Sequence, residues 1–402
     1  MTSNKTVMFP LFILMVLAGC GGSGGGSGSP GPPVVGPPVI GNNVLTITVN
    51  GSLCSDNPSY LNEPCVSVTI CSPGSTNCQT IDDILLDTGS YGLRIFNQAV
   101  TVPLTQVTSG SGLLAECVQF GDGSSMWGPV QMANVILGNE PAVQIPIHVV
   151  DQGFGTPSTL CTSPNSRPDT SPFEANYNGI LGVGPFAQDS GQYFSCSGAA
   201  SGSPCTATTP NAKVINPVAA LPVGGDNNGV IVQLPSVPAD GAGSASGSLI
   251  LGIGTQTNNT VPSGVTAYGV DQVAEFTTIF NSTQYASFID TGSNGLFFPS
   301  PSATQLPSCP TPNTVWFCPP AANGFSASAT NTGASGSPSG IVNFLIGNAD
   351  NLFNTSNLVF GELGGKAVNI FDWGLPFFFG RSVFVGIDGT SSSLGTGPYW
   401  AY

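Results

Sequence analysis

Cationic side chains are scarce in this chain of 402 residues. Lys and Arg total 6 against 21 Asp and Glu, for a formal net charge of −15. Phosphate backbones and anionic membrane surfaces are gripped by clustered Lys and Arg. The balance therefore argues against nucleic acid as a partner and against a polybasic hold on lipid. Charged residues make up only 7% of the chain, yet no apolar run reaches the ~20 residues that a spanning helix needs. Histidine occurs once, as His148. One imidazole cannot build a multi-His metal site, and a Ser/His/Asp triad would depend on it alone. Long helical periodicity is also almost absent. Carboxylates remain as the reagents for any chemistry, with no cofactor implied. The length suffices for one large or two ordinary domains.

The first residues give a destination. Residues 1–19 hold Lys5, an apolar stretch from Val7 to Leu17 and then small residues, the pattern of a secretory signal. Leu17-Ala18-Gly19-Cys20 resembles the bacterial lipobox, with Cys20 as the lipidated first residue of the mature chain. Residues 20–43 are rich in Gly, Ser and Pro and carry no charge, so they read as a tether. Gly21, rather than Asp, favours the outer membrane by the sorting rules of diderm bacteria. The expectation is a protein of the bacterial cell envelope, held to the membrane only through lipid on Cys20. The tether has no Lys or Arg to pair with acids elsewhere, so no inhibitory propeptide is expected.

Ten cysteines follow Cys20, an even number in an exported chain, which reads as disulfides. Pairing between sequence neighbours would give five small loops, although spacing alone leaves the connectivity open. A metal site would need close Cys-x-x-Cys pairs or supporting His, and neither is present.

Short apolar or alternating segments recur between Gly, Pro, Asn and Ser. Examples are Val44 to Val49, Val66 to Ile70 and Val230 to Leu234. They predict an all-β protein, sandwich or barrel. The chain also repeats itself. Leu85-Leu-Asp-Thr-Gly-Ser-Tyr-Gly-Leu93 matches Phe288-Ile-Asp-Thr-Gly-Ser-Asn-Gly-Leu296, and Asn134 to Asn139 matches Asn343 to Asn348. A weaker third match sets Gly179 to Gly182 beside Phe377 to Gly380. Two homologous lobes are expected, at residues 44–238 and 239–402, joined through the Pro/Gly/Ser stretch around Leu234 to Gly247.

The repeated Asp-Thr-Gly-Ser carries the chemistry. One copy is common turn material. Two copies, each after two apolar residues and before x-Gly-Leu, form a specific pattern. An apolar strand ending in Asp brings a carboxylate to the middle of the molecule, and Gly permits close backbone approach. Two such loops would set Asp87 against Asp290. Adjacent carboxyls share a proton. The ionised one can take a proton from a water held between them while the other hydrogen-bonds a carbonyl, which is general acid–base hydrolysis without a covalent intermediate.

On these residues the chain resembles the bilobal pepsin-like aspartic proteases over most of 44–402. That resemblance implies an all-β double barrel with a cleft between lobes, a peptide or protein substrate and a monomer. It casts Asp87 and Asp290 as catalytic, supported by Thr88, Gly89, Ser90, Thr291, Gly292 and Ser293. Val118 to Ser124 resembles the flap hairpin, so Phe120, Gly121, Asp122 and Gly123 would hold substrate. Phe120 stands where these proteases carry Tyr, and Arg94 where they carry the Trp that bonds it. Arg94 is then free for another acceptor or a substrate carboxylate, and Trp127 could serve as an aromatic lid or pack in the core. Asn178 to Gly184 and Phe377 to Asp388 resemble the segments beneath the first and second Asp loops. More narrowly, Asp372 to Arg381 and Gly397 to Tyr402 resemble a group of bacterial secreted proteins catalogued as a domain of unknown function. A different class of function, a catalytically silent surface protein binding peptides or envelope components in the same groove, is the alternative. Outside the motif, His148 reads as a strand residue, Arg381 as a structural cation pairing Asp372 or Asp388, and Asp82 and Asp83 as solvated turn acids.

Overall fold

The computed structural model describes residues 34–36, 39–55, 60–162, 166–320 and 323–402. The signal segment, Cys20 and most of the tether lie outside the described residues. The protein is all-β. Its helices are single turns, and among the described residues none is long and apolar enough to cross a membrane.

Six strands of the first half close into a ring. Pro64–Cys71 pairs with Ser124–Ile136, which pairs with Val143–Val150. Val143–Val150 runs parallel to Tyr91–Phe96, which pairs with Gly179–Val183. That strand runs parallel to Cys78–Asp87, which returns to Pro64–Cys71. Closure leaves this barrel no free edge, and its strands bury Val, Ile and Leu inside. The second half forms a seven-stranded sheet. In spatial order it runs Ser339–Ile346, Phe325–Thr332, Phe276–Phe280, Thr283–Ile289, Ile370–Trp373, Leu296–Phe298 and Gly364–Lys366.

A six-stranded antiparallel sheet joins the halves. Its order is Val44–Val49, Ala245–Leu251, Gly229–Leu234, Arg381–Gly386, Tyr399–Ala401 and Ala267–Gly269. Both ends of the described chain and its middle contribute, so one apolar core runs through both halves. In the second half that core is aromatic. Phe298 stacks on Phe371 at 4.9 Å, and Phe280, Phe344 and Trp373 pack around them.

All five disulfides join sequence neighbours: Cys54–Cys65, Cys71–Cys78, Cys117–Cys161, Cys196–Cys205 and Cys309–Cys318. The third internal match needs correction. The strand that accompanies the second Asp loop is Ile370–Trp373, not the segment beginning at Phe377. Phe377 and Phe378 lie in a 3₁₀ turn, and Arg381–Gly386 belongs to the joining sheet. A run of Phe imitates a strand, but parallel register to Thr283–Ile289 places Trp373 against Ile289, and hence Gly374 where the first half has Gly182.

Candidate active site

Each Asp-Thr-Gly-Ser loop follows the more buried end of a strand, Cys78–Asp87 in the first half and Thr283–Ile289 in the second. The next strand folds back antiparallel to the partner that runs parallel to the first, so both loops have one local construction.

The loops are tied by a reciprocal set of hydrogen bonds. The Thr88 backbone N–H donates to Thr291 Oγ1 (3.0 Å) and the Thr291 N–H to Thr88 Oγ1 (3.0 Å). Each hydroxyl donates onward across the junction, Thr88 to the Ile289 carbonyl (2.9 Å) and Thr291 to the Leu86 carbonyl (2.6 Å). Both threonines are fully buried, where satisfied polar networks hold geometry most firmly. Asn62 adds another link, donating to the carbonyls of Asn294 and Phe360.

This tie brings the carboxyls together. Gly89 N–H donates to Asp87 Oδ1 and Gly292 N–H to Asp290 Oδ1, both at 2.7 Å. A Cβ on Gly89 would stand 2.6 Å from the Asp290 carboxyl carbon, and one on Gly292 3.0 Å from Asp87 Oδ1. Only glycine lets each loop approach the other's carboxyl so closely. Loss of solvent, then the charge of Asp87, push Asp290 well above the ordinary carboxylate range. Such a pair holds a proton that an isolated Asp would lose near neutral pH.

The two serines differ. Ser293 Oγ donates to Asp290 Oδ2 (2.9 Å), whereas Ser90 Oγ is shielded from solvent and makes no hydrogen bond among the described residues.

Phe120 to Gly123 form the turn of the hairpin Gly112–Gln119 and Ser124–Ile136. Asp122 caps that turn through Ser124 and pairs with Arg167 (2.7 Å). Phe120 packs on an apolar cluster with Leu85, Met126, Tyr177 and Ile180. Its ring lies 5.9 Å from the Arg94 guanidinium, a cation–π distance.

Arg94 and Trp127 do not line the site. Arg94 is 1% exposed and binds Asp189 (2.6 Å), Glu116 (3.3 Å) and the Tyr91 carbonyl. A guanidinium with acceptors in the core has no reason to reach substrate. Trp127 is fully buried, donates to the Phe154 carbonyl and packs edge-on to Phe194, so it is core and not lid. His148 is buried beside Glu116 (3.4 Å), and burial lowers its basicity. Arg381 pairs with neither Asp372 nor Asp388. It donates to the Phe377 carbonyl and lies over the Phe377 ring at 4.6 Å. Asp82 is exposed, but Asp83 is buried inside the strand at a bulge where the register shifts between Val66 and Val68, not in a solvated turn.

The sequence reading missed the places of four residues. Glu116 and Asp189 take Arg94 because distant strands converge on it. Tyr60 lies near enough to the dyad and the hairpin that, after burial and Glu63, the charges of Asp122, Asp290 and Asp87 all raise its phenol. Asp372 sits beneath Asp290, and aligning Gly374 with Gly182 would have shown it. Two clusters have metal-ligand spacing, Cys54/Glu63/Cys65 and Cys309/Cys318/Asp350, but their cysteines are oxidised and offer no thiolate.

Fold and site together define an all-β protein whose barrel-like sheets meet at a pair of carboxyls. The chain belongs to the family described as "Protein of unknown function (DUF3443)", whose model matches residues 40–402. No curated protein matches it.

Proposed function

We propose that this is an exported, lipid-anchored aspartic endopeptidase of pepsin-like fold, with lobes at 44–238 and 239–402 and its lipid on Cys20 in the outer membrane. One observation carries the reading: two Asp-Thr-Gly-Ser loops, one from each half, are bound by reciprocal threonine bonds that set Asp87 against Asp290. The chemistry follows from the pair. One carboxylate takes a proton from a water between them. The other, still protonated, hydrogen-bonds the scissile carbonyl and stabilises the charge that develops there. No covalent intermediate forms. The substrate lies as an extended strand between the loops and the hairpin at Phe120 to Gly123.

The test uses the full chain, exported so that its disulfides form, and a mixed peptide library from about pH 3 to about pH 7. Wild type is expected to cleave and to be blocked by a statine-type inhibitor. Asp87→Asn and Asp290→Asn should each lower kcat by about a thousandfold or more, since each removes half of the acid–base pair. Cleavage that survives either substitution would reject the dyad. A second reading, a silent binder of peptides or envelope components in the same groove, is favoured by Phe120, which offers no hydroxyl to a substrate, and by the inward commitment of Arg94. Binding of a peptide without turnover at any pH would select it.

A further inference from the structure

Strand Ile370–Trp373 is apolar except for Asp372. This side chain is 1% exposed, and neither of its oxygens has a hydrogen-bond partner among the described residues. A buried polar group in that state demands an explanation. No cation supplies one. The ion pairs among the described residues involve Arg94, His148 and Arg167, and Arg381 is turned to Phe377. The neighbouring strands offer only Phe288 and Phe297 at the positions opposite Asp372. What faces it is the Ser293 hydroxyl and the carboxyls of Asp87 and Asp290.

The register explains why. Asp372 lies opposite Phe288 in a parallel pair, two residues before Asp290, so Asp290 and Asp372 emerge on one face of the sheet. Ser293 stands between them. A hydroxyl has one proton and two lone pairs. Ser293 gives its proton to Asp290 Oδ2, which leaves its lone pairs for a donor. An ionised Asp372 could only compete for that proton, whereas a neutral acid can supply one. Burial, foremost, raises Asp372 well above the ordinary range; the Ser293 hydroxyl opposes this and the Asp87 charge adds to it, and the net direction is in keeping with a neutral acid.

We propose that Asp372 is a positioning residue, which as the neutral acid donates its proton to Ser293 Oγ and so commits the Ser293 hydroxyl to Asp290. The catalytic consequence rests on the dyad reading above. No bond is made or broken; the chain Asp372 to Ser293 to Asp290 is three groups and two protons in fixed order. The first loop has no such chain. Ile180 occupies the place equivalent to Asp372, and Ser90 Oγ has no hydrogen-bond partner among the described residues. The device therefore makes the two aspartates unequal. It also reverses when Asp372 ionises, because its carboxylate then draws the Ser293 proton away from Asp290.

Two variants separate donation from ionisation. Asp372→Asn keeps a donor for Ser293 and cannot ionise. Asp372→Leu fills the space and does neither. Asp372→Asn should hold kcat within about threefold of wild type and extend activity to higher pH, while Asp372→Leu should lower kcat roughly tenfold at unchanged KM. Equal loss in both variants, or wild-type kcat and pH profile in both, would overturn the proposal. A second measurement needs no activity. Unfolding midpoints of wild type and Asp372→Asn are compared from about pH 4 to about pH 8. The native protein retains the Asp372 proton that the unfolded chain has lost, so wild type should lose stability relative to Asp372→Asn as pH rises. Parallel curves mean an ionised Asp372 and reject the donor. Absence of cleavage and of statine binding in wild type would instead reject the dyad as catalytic, and the stability curves would still decide the state of Asp372.

Discussion

Single side chains in this protein are governed by the scarcity of cations. Arg94 is the one guanidinium sunk fully in the core, and two carboxyls and a histidine gather around it. One positive charge cannot balance both acids. Burial, with the nearby Asp189 charge, pushes Glu116 well above its usual range despite Arg94, so it stays neutral and the cluster closes on one ion pair. Tyr193 completes it, donating to Asp189 and accepting from the Val214 N–H. Replacing Arg94 by Met would strand Asp189 in the core without a cation. The expected loss is about 3–5 kcal/mol in denaturant unfolding, and a loss below ~1 kcal/mol would show that the cluster is not a buried pair.

At the scale of elements, the strand–loop–strand unit around each aspartate depends on a glycine beside the loop. A Cβ on Gly374 would stand 2.0 Å from the Gly295 carbonyl and 2.6 Å from that of Ser293. Neither backbone oxygen can move without breaking the second loop. Gly374→Ala should therefore cost more than about 3 kcal/mol, and any folded remnant should lose the dyad geometry. Calorimetry of the purified variant checks this, and a melting point equal to wild type would refute it. The same unit shows how far a repeat can be read from residues. The two Asp-Thr-Gly-Ser loops stand out because backbone geometry demands those residue types. The strand beneath the second loop does not, because burial selects only for apolar bulk, and Phe377 to Phe379 satisfy that pattern as well as Ile370 and Phe371 do.

For the whole molecule, the consequence of so many buried acids is a dependence of stability on pH. Burial and, next, the Asp83 charge raise Glu63 to about 8. Burial and the Asp122 charge raise Asp169 to about 7. Above the ordinary carboxylate value of ~4 the unfolded chain releases these protons while the folded protein keeps them, so stability falls as pH rises from ~4 to ~8. Buried His148 acts oppositely, since the unfolded chain alone binds its proton below ~6.5, but it is a single group. The melting temperature should therefore be higher near pH 5 than near pH 8. Glu63→Gln, which removes a buried carboxyl with no hydrogen-bond partner among the described residues, should narrow that gap. An unchanged gap would mean that Glu63 is ionised in the native protein.

Residue order alone was enough for the all-β class and for disulfides among the ten cysteines after Cys20, with their pairing left open, and it singled out Asp87 and Asp290 as candidates from 21 acids. These are local matters: alternation, turn residues, short cysteine loops and a motif that repeats. The partners of Arg94, the burial of Trp127 and the place of Asp372 came only with the folded molecule. Each depends on strands far apart in sequence and on which face a register turns inward, and a one-residue slip would reverse that face. Gly374 aligned with Gly182 is such a register, and it is what sets a third carboxyl beneath the pair.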